Sequence, residues 1–225
     1  MFIVLEGLDG AGKSTQMNYL RDYFAAYQKN TQFIHFPRFD APLWGPLIAK
    51  FLRGELGAMN EVSPYLAALI YAGDRNDAAP QIREWLAQGF VVVADRYVYS
   101  NVAYQCAKLD DPEKQKELSN WILQTEYHYF GLPKPNLCLF LDVPLSFVAQ
   151  KLQTQRDGAD RAYLQGKHDI HESDLLFQEK VRNVYLSQTK VDPLFEVISC
   201  GNFSGAMRSV EDISQLIRSK IKIIH

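Results

Sequence analysis

The amino-acid sequence predicts an α/β fold, a five-stranded parallel sheet flanked by helices. Three observations carry this expectation. Short apolar runs recur at Phe2–Glu6, Gln32–Phe36, Phe90–Asp95, Leu137–Asp142 and Phe195–Ser199, the stretches between them read mostly as helices, and the first run leads into a glycine-rich turn. Strands that alternate with helical stretches pair in parallel, because each crossover helix brings the chain back to the same end of the sheet. At 225 residues the chain can bury a sizeable core as a single domain, residues 1–225, and no second domain is required.

The first strand, Phe2-Ile3-Val4-Leu5, is apolar throughout, as suits a strand covered on both faces. Gly7-Leu8-Asp9-Gly10-Ala11-Gly12-Lys13-Ser14 follows it and fits G-x-x-x-x-G-K-[ST] in full. This spacing builds an anion cradle: the glycines turn the backbone so that its N–H groups point inward, Lys13 reaches the β- and γ-phosphates, and the Ser14 hydroxyl can ligate Mg²⁺. From Thr15 to Gln28, apolar residues at Met17, Leu20, Tyr23, Phe24 and Tyr27 mark a helix whose positive N-terminal end adds to the same site. A strand, this loop and a helix in succession predict a three-layer P-loop NTPase fold that binds a nucleoside triphosphate.

Further along, Ser63-Pro64 reads as an N-cap with proline at the first helical position, and Gly89 closes that helix before the third strand. A polar helix over Glu113 to Glu126 ends before Gly131, Pro133 and Pro135. The most polar, turn-rich segment, about 155–172, contains Arg156-Asp157-Gly158-Ala159-Asp160-Arg161 and predicts a lid that closes over the phosphates.

Bulk composition narrows the partners. Lys and Arg total 24 against 26 Asp and Glu, a net charge of −2, which argues against a nucleic-acid-coating protein. Cys106, Cys138 and Cys200 lie far apart without ligand spacing, so neither a zinc site nor a disulfide framework is expected. The chain starts directly on a strand, without a basic leader, and no apolar run is long enough to span a bilayer. A cytoplasmic protein, without membrane or nucleic-acid partners, is the expectation.

Three clusters at strand ends and on a helix extend the site. Asp95-Arg96-Tyr97 closes the third strand, where a parallel sheet places its crevice; Asp95 can hold Mg²⁺ or its water and Arg96 a phosphate. Phe36-Pro37-Arg38 closes the second strand and offers Arg38 as another phosphate clamp. In Tyr71-Ala72-Gly73-Asp74-Arg75 the aromatic ring and the guanidinium share a helix face, so they can stack on a base and bond its edge.

These blocks, together with Ser100-Asn101-Val102-Ala103-Tyr104, Gly131-Leu132-Pro133-Lys134-Pro135 and Leu139-Phe140-Leu141-Asp142-Val143-Pro144, resemble the thymidylate kinases over nearly the whole chain. The resemblance implies transfer of a phosphoryl group from Mg·ATP to dTMP. Residues Gly7 to Thr15 would bind ATP. Tyr71 would stack on thymine and Arg75 donate to its carbonyl, while Asn101 would bond the base edge. Tyr104 would lie beneath the sugar, Asp9 accept from the 3′-hydroxyl, and Arg38 and Arg96 hold the acceptor phosphate, with Phe36 and Ser100 lining that side. Asp95 and Ser14 would serve the metal. Because the loop has Gly10 where some members carry an arginine, Arg156 and Arg161 become the candidates for the arginine over the transferring group. A homodimer is implied as well.

Two positions depart from the commonest pattern of that family: Phe39 where some members have Tyr, and Asn136 where Asp is frequent. Two rival activities set limits. Thr189-Lys190-Val191-Asp192 imitates the guanine-reading box of regulatory GTPases, but it closes a helix and precedes the fifth strand instead of following one. A deoxynucleoside kinase acting on thymidine would need a carboxylate base beside a hydroxyl, whereas Arg38 and Arg96 suit an acceptor that is already phosphorylated.

Overall fold

Every residue of the first strand, β1 (Phe2–Gly7), is buried, and the sheet is built outward from it. The computed structural model describes residues 1–59, 61–153 and 175–221. β1 pairs with β3 (Val91–Asp95) on one side and β4 (Leu137–Asp142) on the other; β2 (Thr31–His35) and β5 (Phe195–Ser199) form the edges, in the order β2-β3-β1-β4-β5. All four pairings are parallel. The sheet therefore matches the five-stranded parallel arrangement that the apolar runs predict, with strand ends within a residue or so. Asn136, just before β4, explains itself here: its side chain accepts from the Phe2 amide and its own amide donates to the Phe2 carbonyl, closing the start of the β1–β4 pair.

Helices cover both faces. α1 (Lys13–Ala26) starts two residues earlier than its apolar spacing suggests, because Gly12 takes a left-handed φ of 83° and turns the chain straight into the helix. No side chain caps its first turn, so those amides face the loop. α2 (Trp44–Leu52) lies against the long α3 (Pro64–Ala87), and between them Ile48, Phe51, Leu52 and Ala67 form a small apolar cluster flanked by Phe39, Trp44 and Tyr71. α4 (Val98–Cys106) is buried along its whole length. The helix expected to run to Glu126 instead ends as α5 (Pro112–Leu123) and continues as a π-helical turn, Gln124–Tyr129. That wider turn carries Glu126 into the interior, where it is fully buried. α6 (Leu145–Gln153), α7 (Leu175–Gln188) and α8 (Val210–Lys220) complete the described elements.

The segment anticipated as a lid, with Arg156 and Arg161, lies outside the described residues. No described helix is long and apolar enough to cross a membrane. The three cysteines are free and buried.

Candidate active site

The parallel register brings Leu5 level with Asp95 and Gly7 level with Leu141, so the loop after β1 opens beside the ends of β3 and β4. Leu8 and Ala11 turn their side chains into the core and leave only backbone to the loop. Lys13 is buried, and its Nζ donates to the Gly7 and Leu8 carbonyls at 3.2 and 3.1 Å. It thus spans its own loop. Burial, with the nearby Arg96 charge, lowers its pKa to about 8. Ser14 and Thr15 are exposed at the start of α1.

Across the loop, Arg96, Asp9 and Tyr104 form one network. Arg96 Nη2 donates to Asp9 Oδ1 at 2.7 Å, Tyr104 donates to Asp9 Oδ2 at 2.7 Å, and the guanidinium lies 5.1 Å from the centre of the Tyr104 ring. Arg96 is itself in the left-handed region, φ 67°, with its amide donating to the Leu5 carbonyl. Burial works against its charge, but Tyr104, Asp9 and Asp95 hold its pKa well above the ordinary value. The Ser100 hydroxyl is taken up internally, by Arg96, Glu6 and Tyr185.

Asp95 is almost wholly buried. Burial pushes its pKa up, but Lys13, His35 and Arg96 outweigh this and hold it below the usual carboxylate range. One of its oxygens meets His35 Nδ1 at 3.2 Å; the other, Oδ1, is buried without a hydrogen-bond partner among the described residues. An orphaned carboxylate oxygen beside a phosphate loop suits a hard cation held partly by substrate. Ser14 and Asp95 together fit Mg²⁺, which commonly takes only one or two carboxylates and fills its remaining positions with water and phosphate oxygens.

A second group of charged side chains hangs on α3. Arg38 donates from its backbone and from Nε to the Asp74 carboxylate, and from Nη2 to the Asp74 carbonyl and to Asp77. Asp74 is 1% exposed, and burial raises its pKa even with Arg38 beside it. Phe36 lies in the core, its ring 5.7 Å from that of Tyr97. Phe39 packs on the cluster between α2 and α3. Gly73, between Tyr71 and Arg75, is pressed against Trp44 so closely that a Cβ there would lie 2.3 Å from the indole ring. Tyr71 stands half-exposed, edge-on to Phe51 at 6.1 Å.

Arg75 and Asn101 converge on one carboxylate that sequence reasoning left inside an ordinary polar helix. Glu126 accepts from Arg75 Nε and Nη2, the latter at 2.8 Å, and from Asn101 Nδ2 at 2.8 Å. The available signal was spacing: Leu118, Ile122 and Glu126 recur every four residues, and the first two are buried. Glu6 was missed likewise. It is fully buried at the end of β1 and accepts from the Tyr97 and Ser100 amides and from the Ser100 and Tyr185 hydroxyls. Burial raises its pKa.

The GTPase-like box lies at the other end of the sheet, before β5. Asp192 there accepts from the Tyr99 hydroxyl at 2.6 Å and from the Leu194 amide at 2.8 Å, so its carboxylate is structural.

The chain also resembles known proteins along its length. Residues 5–202 match the family model described as thymidylate kinase. The thymidylate kinase of Mycobacterium tuberculosis is 34% identical over 188 residues, 82% of this chain and 84% of that protein. A probable thymidylate kinase of Thermococcus kodakarensis is 31% identical across 100% of this chain and 98% of its own length. Among solved structures, a thymidylate kinase from Candida albicans superposes with a TM-score of 0.71 at 27% identity, covering 97% of this chain and 89% of that one.

Proposed function

The chain belongs to the thymidylate kinase family of phosphotransferases, and from that premise we propose that it transfers the γ-phosphoryl group of ATP to the 5′-phosphate of dTMP, giving ADP and dTDP. The observation that carries the reading is a complete phosphate loop whose own Asp9 is bound from the neighbouring strand end and α4 by Arg96 and Tyr104. The loop suits a triphosphate, and the group around Asp9 a phosphorylated sugar.

Phosphoryl transfer asks little covalent chemistry of a protein; it asks for two charged groups held in line with their repulsion offset. Lys13, tethered in the free protein to its own loop carbonyls, exchanges them for donor phosphate oxygens. The free amides at the start of α1 add to the same anion site. Arg96 and Arg38 hold the acceptor phosphate. Asp9 accepts from the sugar 3′-hydroxyl, and Tyr104 lies under the sugar. Tyr71 stacks on the base, while Arg75 and Asn101 read its edge. Ser14 and Asp95 would hold Mg²⁺, which when bound neutralises phosphate charge. Arg156 and Arg161 are the candidates for the cation over the group in flight, a role worth about 10³–10⁵ in rate in comparable enzymes.

The same reading includes a cytoplasmic enzyme and a homodimer formed through helices beside the sheet, to which the exposed Leu66 and Leu69 of α3 offer apolar surface. Light scattering on the purified protein tests the dimer. A coupled ADP-release assay with Mg·ATP against dTMP, dUMP, dCMP, UMP and thymidine tests the activity. Highest kcat/KM with dTMP is expected; faster turnover of thymidine would make the chain a nucleoside kinase instead.

A further inference from the structure

We propose that Glu126 is a positioning residue that sets base specificity, by fixing the side chains of Arg75 and Asn101 in the one orientation that reads a thymine edge. This rests on the dTMP reading above and goes beyond it. Arg75 is 3% exposed and Glu126 wholly buried, so the pair is held with water excluded. Two of the guanidinium nitrogens, Nε and Nη2, are committed to the Glu126 carboxylate, while Nη1 makes no hydrogen bond among the described residues. A guanidinium is planar and rigid, so fixing one edge fixes the direction in which the remaining donors point.

The same carboxylate decides the sense of the Asn101 amide. Asn101 Nδ2 donates to Glu126 Oε1 at 2.8 Å and to the Ala68 carbonyl at 3.0 Å. Both partners only accept. Reversing the amide would set its oxygen against two oxygens, so the assignment follows from chemistry. Asn101 Oδ1 is then the remaining end, buried and without a partner among the described residues. A buried acceptor left unpaired, on a side chain that shares Glu126 with Arg75, calls for a donor, which a bound base can supply. Thymine carries hydrogen on N3 and offers it; cytosine has a lone pair there and cannot. Arg75 donates to the 4-carbonyl of thymine and meets an amino group in cytosine. Glu126, from the π-helical turn after α5, thereby couples two discriminating contacts that come from different helices.

The test compares the wild-type protein with Glu126→Gln in steady-state ADP release against dTMP and dCMP. Arg75 Nη2 and Asn101 Nδ2 share Oε1 while Arg75 Nε takes Oε2, so the Gln amide breaks the two-bond hold on Arg75 in either orientation, removes its charge partner, and in one orientation also opposes the Asn101 donor. The KM for dTMP is expected to rise about tenfold or more, and the dTMP-over-dCMP preference in kcat/KM to fall about tenfold or more, because unpaired buried polar groups are what give such a site its selectivity. The KM for ATP and the kcat with saturating dTMP should stay within about threefold. An unchanged base preference would overturn the proposal, as would parallel changes in both KM values, which a merely structural role predicts. Glu126→Asp keeps the buried charge and serves if the Gln variant does not fold; its oxygens are drawn back by one methylene and should cause the same shift in smaller measure. A third arm needs no variant. 3-Methyl-dTMP lacks the N3 hydrogen and should bind the wild-type protein at least about tenfold more weakly than dTMP, and equal binding would show that Asn101 does not present a fixed acceptor. If the wild-type protein fails to phosphorylate dTMP, the functional reading falls on its own evidence, before any variant is compared.

Discussion

Ser100 gives Glu6 two hydrogen bonds, one from its amide and one from its hydroxyl, and so ties the first turn of α4 to the central strand. The Tyr97 amide and the Tyr185 hydroxyl complete the set. Tyr97 follows Arg96 directly and Ser100 lies four residues beyond it, so this carboxylate also holds the backbone that carries the guanidinium. Glu6→Gln turns an acceptor for four donors into a group that must itself donate, at a cost of about 1–3 kcal/mol. A lower melting temperature and a reduced kcat/KM for dTMP are expected. The sign with pH follows from burial, which raises the folded pKa above 4.5. Wild-type stability from this group is complete below that value and is lost as pH rises through the folded pKa, so the gap to the variant should be widest near pH 4.5. Thermal denaturation of both proteins across pH checks this.

Lys13 titrates in the free protein near pH 8, and kcat/KM for ATP reports the free protein. It should therefore fall with rising pH above that point, by about tenfold per unit. The kcat, which reports the loaded protein, should hold to higher pH because bound phosphate restores the charge. Stability moves the other way: between 8 and 10.5 the unfolded chain binds more protons, so the unliganded fold gains with pH. Lys13→Ala should lose phosphoryl transfer while still folding, and pH–rate profiles together with a melting curve distinguish these effects.

Arg38 is the partner that keeps Asp74 tolerable inside the protein. Arg38→Ala leaves that carboxylate with only a backbone donor, which should cost about 1–3 kcal/mol at pH 7. The loss should shrink toward pH 5, since a buried carboxyl with a raised pKa can take up a proton. Denaturation at the two pH values decides it, and the KM for dTMP should rise as well.

Gly73→Ala places a methyl group 2.3 Å from the Trp44 ring, too close for either to stay where it is. Repacking of the α2–α3 contact should destabilise the protein by about 1–3 kcal/mol. Because Tyr71 and Arg75 flank this point, the KM for dTMP should change more than the KM for ATP. A variant with wild-type stability and kinetics would place Trp44 elsewhere in solution.

The sheet was legible because its strands are continuous apolar runs bounded by turn residues, and the phosphate loop because its spacing is dictated by an anion. Arg38, Asp95 and Arg96 were legible from their places at strand ends, which a parallel sheet gathers at one edge. Glu6 and Glu126 were not. Each is an acidic residue in an unremarkable local setting, and its worth comes from donors 94 and 51 residues away in the chain. No local pattern encodes such a pairing. The contact of Trp44 with Gly73 escaped for the same reason, since a helical glycine reads as a weak point until the ring lying on it is seen. The π-helical turn was hidden because its residues are compatible with an ordinary helix, and nothing in their local order marks the wider winding that accompanies the burial of Thr125 and Glu126.

The backbone of Arg96 sits at φ 67°, a region that glycine and asparagine occupy with far less strain, at a disadvantage to other residues of about 1 kcal/mol or more. Substituting glycine there would relax the chain and remove the guanidinium in one step. Removing the guanidinium also takes the ion-pair partner from Asp9, so heat resistance favours glycine here only once Asp9 has been replaced as well, whereas turnover keeps the arginine. A library randomised at residues 9 and 96 and scored separately for both traits should show glycine gaining stability at 96 only in chains that no longer carry Asp9.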